Sequence, residues 1–396
     1  MSDDRAKRRA QPSAKLPIPS AQEQAHSEAL VRVIRDEIEA NDGSIDFARY
    51  MELALYAPSL GYYRGGAQKF GETGDFVTAP ELSPVFARCL ARQCQQILVH
   101  LGQGDLIDVG AGSGALAVTL LRELETLDAL PERYCILELS VDLQERQRHL
   151  IAHALPHLRE RVHWLQSMPA EPVSGVIIGN ELLDAMPVHR FRVGEQGIEQ
   201  LHIEWSDDRF GWCTRRPEDA VRERVHALAL SPPYESEINL QAQAWVHSIA
   251  ERLHAGVLLL IDYGFPRAEF YHPQRTTGTL MCHYRHRYHD NPLILAGLQD
   301  ITAHVDFTAI AEAGGDTGLS ALGYTSQAAF LLANGLEEFA RAADPDALPE
   351  YVDLARTINT LTSPAEMGEL YKVIALGRGI DIPLQGFSLH DRRGRL

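Results

Sequence analysis

The stretch LIDVGAGSGALA, residues 106–117, contains the strongest fold signal in this chain. An apolar run ends near Asp108, glycines follow at Gly110, Gly112 and Gly114, and an apolar helical pattern begins. Glycine lets a backbone turn tightly and approach a ligand closely, and a helix N-terminus presents unpaired N–H groups. The pattern predicts the first strand-to-helix crossover of a doubly wound α/β sheet, with a nucleotide-like cofactor held at the turn.

The turn alone leaves the cofactor open. The spacing Gly110-x-Gly112-x-x-Ala115 also satisfies a loose dinucleotide fingerprint, and a tight turn that binds nothing has the same pattern. The remaining segments have to distinguish these alternatives.

Short apolar runs recur along the chain, and helical patterns separate most of them. They lie at 106–109, 134–137, 162–165, 173–178, 257–261 and 371–376. This alternation predicts a parallel sheet with helices on both faces. Residues 188–216 depart from it, because period-two alternation around a Gly-containing turn predicts an inserted β-hairpin there.

The N-terminal region has a different pattern. Residues 26–57 are predicted to be helical, with Ser44 as the cap of a second helix that continues through 51–56. A segment rich in Gly and Tyr follows at 57–66 and 70–76, which is typical of a connector or of a lid over a site.

Composition excludes several classes of protein. The formal net charge of −17 over 396 residues argues against a nucleic-acid binder, which needs clustered Lys and Arg. The five cysteines form no CxxC pair, so a reducing compartment is expected. No apolar run approaches a membrane span, and residues 1–25 are polar, which predicts a disordered tail rather than a secretory signal.

Polar side chains follow several predicted strands, at the edge where open α/β sheets bind ligands. Glu138 closes the second strand, where a carboxylate is able to accept both hydroxyls of a ribose; the alternative is a solvated strand-end acid. Asn180, Glu181 and Asp184 follow the fourth strand, at a predicted strand-to-helix junction. They suit proton transfer and substrate orientation, or they cap a helix.

Two further groups have weaker signals. Asp262 and Tyr263 end the fifth predicted strand, where they either line a substrate pocket or anchor the following loop. The run CHYRHRYH at 282–289 has no partner cluster with metal-ligand spacing, and its arginines repel cations, so no metal site is expected.

Taken together, these segments resemble class I S-adenosylmethionine-dependent methyltransferases, and more closely the MidA-type family. The matching stretches are ALYAPSLGYY (54–63), GDFVTAPELSPVF (74–86), the glycine turn, GNELLDAMPV (179–188), LLLIDYGF (258–265), DITAHVDF (300–307), GYTSQAAFL (323–331) and MGELYKVIALGR (367–378). The mitochondrial member of that family is an arginine methyltransferase in complex I assembly.

The resemblance implies a seven-stranded, Rossmann-like methyltransferase sheet with a helical N-terminal cap and an inserted β-hairpin and helical region. The expected organisation is a disordered tail (1–25), a helical cap with cofactor lid (26–100), a core (101–187 and 256–378), an insertion (188–255) and a C-terminal tail (379–396).

The resemblance also implies roles for individual residues. S-adenosyl-L-methionine is the expected cofactor, and the residues expected to bind it are Glu81, Ser83, Asp108, Gly110, Gly112, Gly114, Glu138 and Asn180. Glu181 and Asp184 are expected to hold the acceptor and receive its proton, and His286 to line the acceptor channel.

The expected function is methylation of an arginine side chain in a protein, with a respiratory-complex subunit as the implied partner. Two alternatives remain: an assembly factor that binds the cofactor without catalysis, and an NAD-dependent oxidoreductase. Neither nucleic acid nor a membrane is an expected partner, and a homodimer is left open. The expected compartment is the cytoplasm, or the mitochondrial matrix in a eukaryote.

Overall fold

The computed structural model describes residues 16–65, 79–342, 344 and 347–396. The strands are β1 (Ser44–Asp46), β2 (Asp105–Val109), β3 (Tyr134–Leu137), β4 (Val162–Leu165), β5 (Val173–Asn180), β6 (His189–Gly194), β7 (Gly197–Ser206), β8 (Arg209–Arg215), β9 (Tyr234–Ile238), β10 (Leu253–Phe265), β11 (Met281–Tyr284), β12 (Arg287–His289), β13 (Asp300–Thr302), β14 (Val305–Asp306), β15 (Ser320–Ser326) and β16 (Tyr371–Arg378). The helices are α1 (Ala21–Ala40), α2 (Phe47–Tyr56), α3 (Ala79–Leu82), α4 (Pro84–Leu101), α5 (Ala115–Thr126), α6 (Val141–Ala154), α7 (Asp219–Ala227), α8 (Leu240–Arg252), α9 (Arg267–Phe270), α10 (Phe307–Asp316), α11 (Gln327–Ala333), α12 (Leu336–Arg341), α13 (Leu348–Thr362) and α14 (Met367–Leu370).

One large sheet forms the centre of the fold, with the strand order β15-β16-β10-β5-β2-β3-β4 and the short β14 paired with β10. β16 runs antiparallel between β10 and β15, and the pairings from β10 to β4 are parallel. The six predicted apolar runs are all strands of this sheet. The α/β prediction is therefore confirmed, and the seven strands that the resemblance implies are present together with β14.

Helices cover both faces of the sheet. Leu90 of α4 and Leu120 of α5 belong to the apolar cluster on one face, and Val246 of α8 and Ile310 of α10 to the cluster on the other. The sheet has little spare room at its centre: a Cβ on Gly175 would lie 1.9 Å from the carbonyl oxygen of Asp105. Burial on both faces explains why the strands are nearly continuous apolar runs.

A second, antiparallel sheet combines β1 with four strands inserted after β5. Its order is β1-β7-β6-β9, and β8 pairs with β7. β6 and β7 form the hairpin predicted within 188–216. The prediction that Ser44 caps a helix is wrong, because Ser44 pairs with β7 as part of β1. Asp46 caps α2 instead, and its carboxylate accepts the Arg49 N–H at 2.6 Å.

Both ends of the described chain have more structure than expected. α1 begins at Ala21, inside the segment predicted as a tail, because Ser20 and Glu23 form a reciprocal capping box. Residues 379–396 contain Phe387, which is buried and whose ring centroid lies 5.7 Å from that of Phe330.

A third sheet, with the order β12-β11-β13, occupies the region 263–300 that has no regular sequence pattern. It reaches the carboxyl edge of the central sheet, since the Ala303 N–H just after β13 donates to the Asp184 carbonyl at 3.0 Å. Within the described ranges, no helix is both long enough and apolar enough to cross a bilayer.

Candidate active site

The glycine turn joins β2 to α5 at the carboxyl edge of the central sheet. Gly110 and Gly114 have φ of 72° and 85°, in the left-handed region that favours glycine. A Cβ on Gly110 would lie 3.3 Å from Leu182, and one on Gly114 would lie 3.2 Å from Gln147. The turn is therefore a close-fitting backbone cradle in front of the N-terminus of α5.

Gln147 of α6 holds this turn in place. Its Nε2 donates to the Gly112 carbonyl at 2.8 Å, and its Oε1 accepts from the Trp164 indole at 3.0 Å. Sequence reasoning missed Gln147, because a glutamine on a helix gives no sign that it contacts a loop 35 residues earlier.

Glu138 follows β3 beside the turn, as predicted. Its carboxylate is 8% exposed and accepts the Ser140 N–H at 2.9 Å, and burial raises its pKa. The next large apolar side chains, Leu139 and Val141, are 58% and 65% exposed. A carboxylate next to uncovered apolar surface suits a ribose with an attached base.

Asp108, the last polar residue of β2 before the turn, is buried. Its carboxylate accepts the Tyr134 hydroxyl at 2.9 Å, and burial raises its pKa to about 7. The structure thus gives Asp108 a partner inside the sheet, and its predicted role in cofactor binding stays a prediction.

Glu81 and Ser83 lie at the start of the helical layer over this edge. Glu81 is part of α3, and Ser83 caps α4, with its hydroxyl accepting the Val85 N–H at 3.2 Å. The Ala79 N–H, at the first residue of α3, donates to the Glu181 carboxylate. The Gly-rich stretch predicted as a lid, 70–76, lies outside the described residues.

The segment after β5 brings Asn180, Glu181 and Asp184 together, but not on a helix. Glu181 has φ of 50°, the chain turns through 182–186, and it then enters β6. The predicted strand-to-helix junction is therefore wrong. The three N–H groups of residues 182–184 donate instead to one oxygen of Asp262, at 3.1, 2.8 and 3.3 Å.

Asp262 therefore anchors the turn that follows β5, whereas the sequence suggested that it anchors the loop after its own strand. Burial and the charge of Asp184 raise its pKa well above the ordinary range. The position of Asp262 explains how a sharp turn carrying two acidic side chains is held without a helix.

Asp184 is buried, and Glu181 beside it is partly exposed. The Tyr371 hydroxyl donates to Glu181 Oε2 at 3.1 Å, and Asn180 Nδ2 donates to Oε1 at 3.3 Å. Burial and the nearby Asp184 raise the pKa of Glu181 to about 8, and burial raises that of Asp184 to about 6. Asp184 therefore ionises at a lower pH than Glu181 does.

Two buried oxygens of this group have no hydrogen-bond partner among the described residues: Asn180 Oδ1 and Asp184 Oδ1. A buried polar atom without a partner is unfavourable, which makes both oxygens candidates for contact with a bound donor.

Four tyrosines surround the acidic pair. The rings of Tyr263 and Tyr371 meet edge to face at 5.5 Å, and those of Tyr56 and Tyr63 stack at 5.5 Å. The Tyr56 hydroxyl donates to the Ala185 carbonyl at 2.9 Å. Aromatic rings beside a pair of carboxyl groups provide surroundings suited to a cation.

His286 lies apart from this group. It is exposed, with φ of 59°, in the turn between β11 and β12. The opposite end of β11 is the one that faces the acidic residues. There Met281 pairs with Thr302, and the N–H of the next residue, Ala303, donates to the Asp184 carbonyl. The role of His286 in the acceptor channel stays a prediction.

No group of three or more His, Cys, Asp or Glu side chains in the described part of the chain is arranged to hold a metal ion.

Comparisons with known proteins agree with this geometry. A family model described as S-adenosyl-L-methionine-dependent methyltransferase matches residues 89–325. A crystal structure of a Burkholderia thailandensis protein bound to S-adenosyl-homocysteine is 44% identical, with a TM-score of 0.93, and the match covers 96% of this chain and 100% of that one. A native crystal structure from the same organism is 43% identical with a TM-score of 0.91, over 96% of this chain and 100% of that one.

Curated relatives are more distant. The chain is 27% identical to the Drosophila melanogaster "Protein arginine methyltransferase NDUFAF7 homolog, mitochondrial", over 96% of this chain and 93% of the relative. It is 26% identical to the Danio rerio protein named "Protein arginine methyltransferase NDUFAF7, mitochondrial", over 84% of this chain and 83% of the relative.

Proposed function

This chain belongs to the family of S-adenosyl-L-methionine-dependent methyltransferases, and on that premise we propose that it methylates an arginine side chain of a protein. The observation that carries the proposal is the pair of buried acceptor oxygens, Asn180 Oδ1 and Asp184 Oδ1, beside Glu181. A guanidinium has five N–H donors and no acceptor, so it complements a pocket of this kind.

The names of the curated relatives support the same acceptor. The Drosophila melanogaster and Danio rerio proteins are named protein arginine methyltransferases, at 27% and 26% identity. A respiratory-complex subunit is the acceptor protein that the family resemblance implies, and we include it in the proposal. The cytoplasm stays the proposed compartment, although the names of these relatives include the word mitochondrial.

Bound S-adenosyl-L-methionine supplies a methyl group on a positively charged sulfur. The residues that fit its nucleotide part are Glu138 and the glycine turn, where a Cβ on Gly110 would lie 3.3 Å from the Leu182 side chain. Asp184 and Glu181 orient the guanidinium, and the surrounding tyrosines exclude water. Transfer between two aligned groups depends mainly on such positioning.

The proposal is tested with purified protein, tritiated S-adenosyl-L-methionine and a protein extract from cells that lack this gene. Acid hydrolysis of the labelled protein should yield methylarginine. Asp184→Ala should reduce the label by about 100-fold or more, since it removes a group that acts on the acceptor. Its affinity for S-adenosyl-homocysteine, measured by calorimetry, should stay close to that of wild type.

Glu125→Ala is the matched control, because Glu125 is a half-exposed carboxylate whose partner is His157 at 2.9 Å. It should leave the label unchanged. Label on another residue type would contradict the arginine acceptor. Tight binding of S-adenosyl-homocysteine with no label at all would favour the non-catalytic assembly factor.

A further inference from the structure

The two acidic side chains differ in which of their oxygens already accept hydrogen bonds. Glu181 accepts from the Tyr371 hydroxyl, from Asn180 Nδ2 and from the Ala79 N–H, and these donors reach both of its oxygens. A carboxylate engaged in this way has a fixed orientation and little remaining capacity to accept a further proton donor.

Asp184 leaves one of its two oxygens without a donor. Its carboxylate accepts from the Tyr263 hydroxyl, from the Ala185 N–H and from its own N–H. Its Oδ1 is buried and accepts no hydrogen bond from the part of the chain that the structure describes, and the residue is 6% exposed. One carboxylate oxygen is thus left for a ligand.

We propose that Asp184 is the catalytic base, which takes the proton released by the acceptor nitrogen, and that Glu181 is a positioning residue. The proposal rests on the function proposed above and divides the roles of the two residues. A new N–C bond forms from the nitrogen lone pair while the S–C bond breaks and its electron pair stays on sulfur. The proton lost from that nitrogen moves to Asp184 Oδ1.

The charges of the pocket agree with this division. Asp184, with a pKa of about 6, ionises at a lower pH than Glu181, with a pKa of about 8. An ionised carboxylate is able to accept a proton and a neutral one is not. The titratable groups that influence Asp184 or respond to its charge are Glu181, Asp262, Tyr56, Tyr63, Tyr263 and Tyr371.

The test compares Asp184→Asn with Glu181→Gln in the labelled-extract assay, with the initial rate of total protein labelling followed from pH 5 to pH 9. Asp184→Asn should lower the rate by about 10²–10⁴-fold, the usual contribution of a general base. Glu181→Gln should lower the rate less than Asp184→Asn does, because glutamine keeps one oxygen able to accept from the Tyr371 hydroxyl.

The pH profile separates a base from a residue that only shapes the pocket. In wild type the rate should fall as the pH drops below about 6, because Asp184 gains a proton. Glu181→Gln should keep this acidic limb, and the residual activity of Asp184→Asn should lose it. Asp184→Glu, which returns a carboxylate, should recover part of the rate.

Binding of S-adenosyl-homocysteine by each variant shows that it is folded. An acidic limb that disappears in Glu181→Gln and persists in Asp184→Asn would overturn the division of roles. The initial rate counts methyl label on any amino acid. The comparison of the Asp184 and Glu181 variants therefore does not depend on the acid hydrolysis that identifies the labelled amino acid. Failure of the arginine proposal is therefore seen separately.

Discussion

At the scale of single residues, Glu138 shows how burial prepares a carboxylate for a polar ligand. Its carboxylate accepts the Ser140 and Leu139 N–H groups, and it is nearly covered although it ends a strand. Burial raises its pKa, so the charged form is less favourable than it would be in water. Hydroxyl groups of a bound ribose would supply the hydrogen bonds that this form lacks.

Glu138→Ala should therefore weaken the binding of S-adenosyl-homocysteine by about 10- to 100-fold, since hydrogen bonds to a charged group are worth about 1.5–3 kcal/mol. Calorimetric titration measures the affinity, and circular dichroism reports whether the variant is folded. Glu132→Ala, at an exposed carboxylate, is the control. Equal affinities for wild type and Glu138→Ala would remove Glu138 from the cofactor site.

At the scale of elements, the sequence predicts the buried strands and much less of what lies between them. The runs 106–109, 134–137 and 173–178 were recognisable because strands buried on both faces are apolar throughout. The short β1 was not, because its pairing with β7 depends on residues more than 150 positions later. Ser44 therefore resembled a helix cap.

The candidate site was predictable in part for the same reason. Asn180, Glu181 and Asp184 were found because polar residues directly follow an apolar strand. Asp262, which holds the turn, lies 79 positions after Leu183, and Tyr371 lies 190 positions after Glu181. No local sequence pattern connects either residue to this segment. The helix predicted after β5 was wrong for this reason. The N–H groups of residues 182–184 donate to one carboxylate of β10, Asp262, and not to carbonyl groups of a helix.

Asp262→Ala should destabilise the turn that carries Glu181 and Asp184. The change leaves the N–H groups of residues 182–184 without their acceptor, and an unsatisfied buried donor costs about 1–3 kcal/mol. The free energy of unfolding in urea should fall by about that amount, and methylation should fall with it. Asp381→Ala removes a carboxylate with a 90% exposed side chain and should change neither.

At the scale of the whole molecule, the last residues act as a strap across the central sheet. A Cβ on Gly323 of β15 would lie 2.2 Å from the Phe387 ring, and the Gly386 N–H donates to Gln93 Oε1 at 2.7 Å. Residues 379–396 therefore contact both an edge strand and α4, although the sequence suggested a simple tail.

Phe387→Ala should lower the free energy of unfolding by about 3–5 kcal/mol, the range for a buried phenylalanine that leaves a cavity. Thermal and urea unfolding measure the loss. Leu389→Ala, two residues later and 64% exposed, should lie within about 0.5 kcal/mol of wild type. A loss for Phe387→Ala no greater than that of its control would mean that the strap contributes little to stability.

The insertion of β16 between β10 and β15 has a consequence for the order of biosynthesis. Tyr371, the partner of Glu181, opens this strand, which is the last of the sheet to leave the ribosome. Until it does, β10 has an open edge and the acidic pair lacks one wall. A nascent chain therefore lacks the hydroxyl that donates to Glu181 until β16 has been translated, and a premature stop codon before residue 371 removes that contact.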